Sequence, residues 1–338
     1  MKFGPVPIDT ALGAVLAHST LAADPAPPER RTYKIPKGTM LTQTHLDDLR
    51  ANHVRTVIVA QLDPGDVPED AAALQLAEAV AGPGLVAGGA GTGRVNLRAA
   101  HAGIVALDAW ALEAMNRVDP GITIATVPEW QRLPADGLVA TIKIIPFGVS
   151  KDLLDRACDL VRGAMSLQTA TIASATLIET RIDDATPSDK GRRAIAERLG
   201  RFGVDLSDRV IVPHAAPDIA DALGKAPGRL RLILTASATC DIRDVAPEGV
   251  RAAGGTVLHY GMPVDPGNLL FLGQVGAEPV IGLPGCARSP ALNGADWVME
   301  RVVCGVPLDQ IDIPGMGVGG LLKEIPTRPQ PRERRLNR

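Results

Sequence analysis

Two short stretches carry the side chains with the most chemistry. TASATCDIRD, residues 235–244, offers the hydroxyls of Thr235, Ser237 and Thr239 and the carboxylates of Asp241 and Asp244. Hydroxyls and carboxylates in one loop suit a polar ligand held by hydrogen bonds. Two aspartates three residues apart suit a Mg²⁺ ion or acid–base work. The small residues Ala236 and Ala238 let a ligand come close to the backbone. Capping the helix that follows is an equally good use for either aspartate. The second stretch, LPGCARS at 283–289, presents Pro284, Gly285, Cys286, Arg288 and Ser289 ahead of a helical pattern. A glycine turn that opens a helix leaves unpaired N–H groups at the positive end of the macrodipole. A phosphate docks there, with Arg288 and Ser289 assisting. On spacing alone, a plain strand-to-helix connection is the commoner outcome of such a pattern. Cys286 is either a thiol activated by that helix start or a small packing residue, the second being the commoner fate.

The elements that must position these loops alternate from Thr169 onward. Strand TIASATLIETRI, helix DKGRRAIAERLGRFG, strand DRVIVPHA, helix APDIADALGKA, strand LRLILTASA and short helix DVAPEGVRAAGG follow one another. A hairpin broken at Pro266 and Gly267, a strand over 280–283 and an amphipathic helix complete the series. Alternation of this kind predicts an α/β unit with a mostly parallel sheet covered on both faces. Ligands of such sheets bind beyond the carboxyl ends of the strands. The loops 179–190, 235–244 and 284–289 are therefore expected to share one rim. Glu179, Thr180 and Arg181 fall where ligand loops belong, and Lys190 and Arg192 stand at the next helix start.

The first part of the chain, 1–165, reads as a smaller α+β module, followed by the α/β unit at 166–308 and an extension at 309–338. The expected elements are helices at 9–18, from about Thr44, at 64–81, 111–118 and 151–165, and strands at 56–60, 103–107, 122–127 and within 137–147. GAGTGR, 89–94, lacks the GK[ST] ending of a Walker loop and follows no clear strand, so a surface loop is the better reading. Arg94, Asn96 and Arg98 are possible anion contacts beside it. Residues 24–31 read as a Pro-rich loop and the tail from Ile325 as a basic, Pro-rich tail or linker.

At 338 residues with 46% hydrophobic and 22% charged side chains, the chain can bury two cores. A net charge of −3 and 3% aromatic residues disfavour nucleic acid as a partner. The N-terminus has no signal-peptide core and no apolar run is long enough for a membrane span, which makes the cytoplasm the expected compartment. The four cysteines are widely spaced and the six histidines follow no HxxxH or HExxH pattern, so neither a disulfide framework nor zinc is indicated.

LTASATCDIRDVAPEGVRAAGGTVLHYGMPVDPGNLLFLG with EPVIGLPGCARSPALNGADWV resembles the molybdopterin-binding domain shared by MoeA-type and MogA-type molybdenum cofactor biosynthesis proteins, most of all in the PG hairpin and the GLPG loop. The resemblance covers about 169–305. IPKGTMLTQTHLDDLRANHVRTVIV is similar to the helix and strand that precede this domain in MoeA-type chains. GMPVDPGN, PGCARSP and GLLKEIPTRPQPRE resemble a bacterial subgroup often fused to a MobA-like nucleotidyltransferase. The resemblance implies a three-layer MogA-like fold, a homo-oligomer and molybdopterin as ligand. It puts the pterin phosphate near 285–289 and the ring toward 235–244. By position, Asp241 and Asp244 would take the acidic, catalytic and Mg²⁺-holding role. Molybdate insertion, or handing the pterin to a separate cytidylyltransferase, would be the function. The related domain of CinA-type proteins implies an alternative, hydrolysis of a nucleotide pyrophosphate. Where MoeA-type and MogA-type chains carry a TSGG or TGGTG loop, this chain has TASATCDIRD.

Overall fold

The computed structural model describes residues 1–24, 32–308 and 312–322. The expected Pro-rich loop at 24–31, apart from Asp24, and the basic tail from Ile325 lie outside the described residues. The chain divides into two compact units, one of residues 1–100 and 105–167 and one of residues 101–104 and 168–338.

In the N-terminal unit, Thr56–Gln61 is the central strand of a three-stranded antiparallel sheet, between Lys2–Pro7 and Val15–Leu16. Helix Gln43–Ala51 buries Leu46 and Leu49 with Val57 and Val59. Thr42 caps it, accepting from the N–H of His45. The expected helix at 9–18 does not form. Gly13 takes φ +75° and its N–H bonds to the Leu41 carbonyl at 2.8 Å, so the segment becomes a 3₁₀ turn, Ile8–Thr10, and a strand.

A second core in the same unit lies under helix Glu69–Val80. Its alanine-rich sequence favours helix, Glu69 and Asp70 sit in the first turn, and Ala72, Ala73, Leu76, Ala77 and Val80 make its buried stripe. This helix starts later than expected because Asp66–Pro68 pairs with Gly148–Ser150 as strands. Helices Ala109–Asn116 and Lys151–Leu160 contribute to the same core, beside a sheet in which Leu138–Ile144 is flanked by Ile122–Thr126 and Arg94–Ala99. The last of these helices is shorter than the expected 151–165, with Gly163 at φ +67° in the turn that follows.

The C-terminal unit is an α/β sheet of seven strands. Ser174–Arg181 runs parallel to Leu230–Leu234, which runs parallel to Glu278–Gly282. Asp205–Leu206 and Val210–Pro213 add parallel pairings to the first strand, while Phe271–Val275 and Thr256–Tyr260 add two antiparallel strands at the far edge. Neighbouring residues on each central strand face opposite ways. Leu177, Leu232 and Ile281 share one core with Ile195 and Leu199 of helix Asp189–Gly200 and Val298 and Val303 of helix Gly294–Val303. Ile178, Ile233 and Val280 share another with Ile219 and Leu223 of helix Ala216–Lys225 and Val250 of helix Val245–Ala252. Burial on both faces explains why these strands read as continuous apolar runs.

Two details fix the edge of the sheet. Phe271 and Gly282 are cross-strand partners, and a Cβ on Gly282 would sit 1.9 Å from the Phe271 ring, so only glycine fits. Part of the 312–322 segment closes the bottom of one core: Ile313 is fully buried, and the N–H groups of Asp265 and Leu322 bond to the carbonyls of Gly320 and Asp265 at 2.8 and 2.9 Å.

Candidate functional site

The parallel register brings three strand ends level. Glu179 lies opposite Leu234, and Ile233 opposite Gly282. The loops that leave these ends are 182–188, 235–244 and 283–289, and hydrogen bonds tie 235–244 to the end of the first strand and to 283–289. The N–H of Ala236 donates to Thr180 Oγ1 at 2.8 Å, and Arg288 Nη2 donates to the Thr235 carbonyl at 2.6 Å. The shared rim expected from the alternating sequence is thus present.

Arg288 is the side chain that spans the rim. It leaves a four-residue 3₁₀ turn, Gly285–Arg288, closed by Ala287 N–H to the Pro284 carbonyl at 2.9 Å. Its stem passes over Gly191, where a Cβ would come within 3.2 Å of Arg288 Cγ, and its guanidinium lies beside Gly285. The bond to Thr235 uses one of the five guanidinium N–H donors. Thr235 and Thr239 are buried, Ser237 is exposed, Cys286, Arg288 and Ser289 are half-buried, and Gly285 is exposed. Ser289 Oγ accepts from the N–H of Ala291 at 3.3 Å.

One expectation for this loop is corrected. The long helix does not open at Gly285 but at Gly294. There Asn293 and Asp296 form a capping box, and Gly294 N–H bonds to the Pro266 carbonyl at 2.8 Å. The turn closes on itself first, so the macrodipole of that helix is not aimed from Gly285 and gives a phosphate at 285–289 no support. Arg288 is what remains to attract one.

The aspartates of the 235–244 loop serve its own architecture. Asp244 caps helix Val245–Ala252: Oδ1 accepts from Val245 N–H at 2.7 Å and Oδ2 from Cys240 N–H at 2.9 Å. Asp241 Oδ1 accepts from both the N–H and Nε of Arg243, and the Arg243 side chain holds the Asp241 carboxyl below its ordinary value. Among the described residues, no group of three or more His, Cys, Asp and Glu side chains is arranged to hold a metal ion. Tyr260 anchors the loop from the edge strand, its hydroxyl donating to the Thr239 carbonyl at 3.1 Å.

The remaining sequence candidates are held in place by near neighbours. Glu179, 2% exposed, receives Arg209 at 2.7 and 3.1 Å, and Arg209 also donates to the Pro187 carbonyl. Arg181 donates to the Asp184 carbonyl and Arg192 to the Ser207 carbonyl. In the N-terminal unit, Arg98 donates to the Asp136 carbonyl, and Asn96 Oδ1 accepts from Thr141. None of the four cysteines is in a disulfide.

One contributor, Arg198, went unnoticed in the sequence, while Thr180, expected where ligand loops belong, takes up partners there. Thr180, buried at the end of its strand, accepts from Ala236 N–H and shares a hydrogen bond with His214 Nδ1 at 2.9 Å. Arg198, 2% exposed, pairs with buried Asp296 at 2.6 Å and donates to the carbonyls of Ala287, Ser289 and Ala291 at 2.9, 2.7 and 2.9 Å. This fork fixes the path of the 287–291 loop from below. The signal for it is its spacing, since Arg198 falls on the buried stripe of Gly191, Ala194, Ile195 and Leu199.

The C-terminal unit is therefore an open α/β sheet with polar loops gathered at the carboxyl ends of its central strands. No family model matches the chain, and no curated protein matches it. Among solved structures, the chain is similar to the molybdopterin biosynthesis MoeA protein of Pyrococcus horikosii, with 12% identity and a TM-score of 0.28 over 91% of this chain and 74% of that one. It is also similar to a molybdenum cofactor biosynthesis protein of Pyrococcus furiosus, with 14% identity and a TM-score of 0.23 over 89% of this chain. The match spans 61% of that second protein's length. At these TM-scores the likeness carries no function across. Among the described residues, no helix is long and apolar enough to cross a membrane.

Proposed function

We propose that this rim binds molybdopterin, free or nucleotide-linked, during molybdenum cofactor biosynthesis. The phosphate lies against Arg288 in the Pro284–Ser289 loop and the ring lies toward Thr235–Asp244. The observation that carries this reading is Arg288, held by the Thr235 carbonyl where three loops meet at the carboxyl ends of parallel strands. The PG hairpin and GLPG loop that resemble molybdopterin-binding domains lie in the same unit. In this reading the protein works in the cytoplasm as a homo-oligomer and either assists molybdate insertion or passes the pterin to a nucleotidyltransferase. Asp241 and Asp244, each engaged in its own turn, do not fit a Mg²⁺ site as they stand, and no step is routed through that ion.

The test is anaerobic equilibrium binding of molybdopterin and of its adenylylated form. Arg288→Ala removes a charge-assisted contact worth about 1.5–3 kcal/mol, so affinity is expected to fall roughly tenfold to a hundredfold. Failure of the wild-type protein to bind either form sinks the proposal. Binding without molybdate-dependent turnover assigns a carrier role.

A further inference from the structure

The N-terminal unit holds a cavity of about 370 Å³ that the rim of the other unit does not explain. Phe3, His18, Lys37, Glu69, Lys143 and Phe147 line it. A second cavity of about 500 Å³ shares Phe3, Ile145 and Phe147 with the first and is walled mainly by apolar groups, Pro120 and Pro146 among them. The two form one trough with a polar end and an apolar end. Phe3 and Ile145 are 59% and 61% exposed, a large share of apolar surface to leave facing water at one opening.

The polar end is rigid. GAGTGR, which resembles a phosphate loop in its sequence, is here a tight turn in which Gly91 and Arg94 bond to each other in both directions, at 3.0 and 3.1 Å. Thr92 and Gly93 take φ +52° and +68° inside it. Gly93 donates its N–H to Asp70 Oδ1 at 2.6 Å, and the Thr92 carbonyl receives the Lys143 ammonium. A Cβ on Gly93 would lie 2.8 Å from Glu69 Oε2 and 3.1 Å from Lys143 Nζ, so both atoms lie close over the bare glycine, within reach of one small molecule. Glu69 is held from its other side, its N–H donating to the Phe147 carbonyl at 3.0 Å.

The two groups have complementary needs. Lys143 has spent one of its three donors on Thr92. Burial pushes the Glu69 carboxyl above its ordinary value, the Lys143 and Lys37 charges pull it the other way, and the Asp70 charge adds to the rise. A carboxylate and an ammonium close together at a half-buried opening match a ligand with an N–H and a carbonyl side by side. The aromatic wall matches a flat ring behind them.

We propose that this trough is a binding site for a small aromatic lactam, its carbonyl accepting from Lys143, its N–H donating to Glu69 and its ring packed against Phe3 and Phe147. The site is distinct from the rim of the C-terminal unit and does not depend on the reading given to it.

The experiment uses the full chain and a matched pair of probes, quinazolinone and quinazoline, which share a ring system but differ in the lactam. Calorimetric titration is expected to show one quinazolinone bound per chain and quinazoline at least about tenfold weaker, the discrimination that one or two unmade buried hydrogen bonds produce. Glu69→Gln and Lys143→Met are each expected to weaken quinazolinone about fivefold or more, while Arg288→Ala leaves it unchanged. Failure of quinazolinone to bind, equal binding of both probes, or indifference to both substitutions overturns the proposal. Thermal melts check that the variants fold; if Lys143→Met does not, the two probes on the wild-type protein decide the matter.

Discussion

Arg198 shows how much one side chain decides. Its guanidinium, 2% exposed, faces a buried carboxylate and three carbonyls of one loop. Removing one partner of a buried pair strands the other charge, at a cost of about 3–5 kcal/mol. Arg198→Ala is therefore expected to lower the unfolding free energy by that amount, seen as a fall in the urea midpoint, and Arg198→Lys to recover only part of it, because an ammonium cannot reach the same set of acceptors. Equal stability of the alanine variant and the wild type, measured by urea unfolding, would show the network to be dispensable. At the same scale, Asp244 settles as a helix cap, one of the two uses its sequence position left open.

Among the elements, legibility followed burial. The central strands were readable because both of their faces are covered, which leaves an unbroken apolar run bounded by turn residues. The rim loops were readable from that same alternation. What escaped was decided by contacts distant in sequence. The segment at 9–18 has helical spacing, yet pairing with Thr56–Gln61 and the left-handed Gly13 make it turn and strand. The start of the last long helix was misplaced because Ser289, Pro290 and Asn293 all suit a turn, and only the Asn293 to Asp296 box marks where the helix begins. GAGTGR, by contrast, is the surface turn its missing GK[ST] ending implies. Gly282 gives a sharp test of the edge pairing. A methyl group there meets the Phe271 ring, so Gly282→Ala is expected to cost about 1–3 kcal/mol through overpacking. Pairing it with Phe271→Leu should relieve part of that loss in a double-mutant cycle, and strict additivity would mean that the two positions do not touch.

For the whole molecule, the chain's two tyrosines report on its two units separately. Tyr33, in the N-terminal unit, donates to Asp48 at 2.7 Å, and burial with that carboxylate pushes its phenol up to about 12. Tyr260, which anchors the 235–244 loop, is raised by burial first and then by the charges of Cys240, Asp241 and Asp244. A phenol raised in the folded state contributes stability that is complete below its unfolded value of 10 and is lost as pH climbs toward 12. Ultraviolet titration is expected to show Tyr33 almost un-ionised and Tyr260 less than half ionised at pH 10 in the folded protein, against half ionisation of both near that pH in urea. A folded-state curve matching the urea curve would contradict both environments.

The stretch from Asp312 to Leu322 changes how this molecule should be cut for study. The family resemblance stops near Gly305, which invites a boundary there. The chain beyond it supplies Ile313 and Met316 to the buried interior and lies alongside Asp265. A fragment that ends at the edge of the resemblance would expose the underside of the sheet it was meant to isolate. One carried past Leu322 would keep its floor.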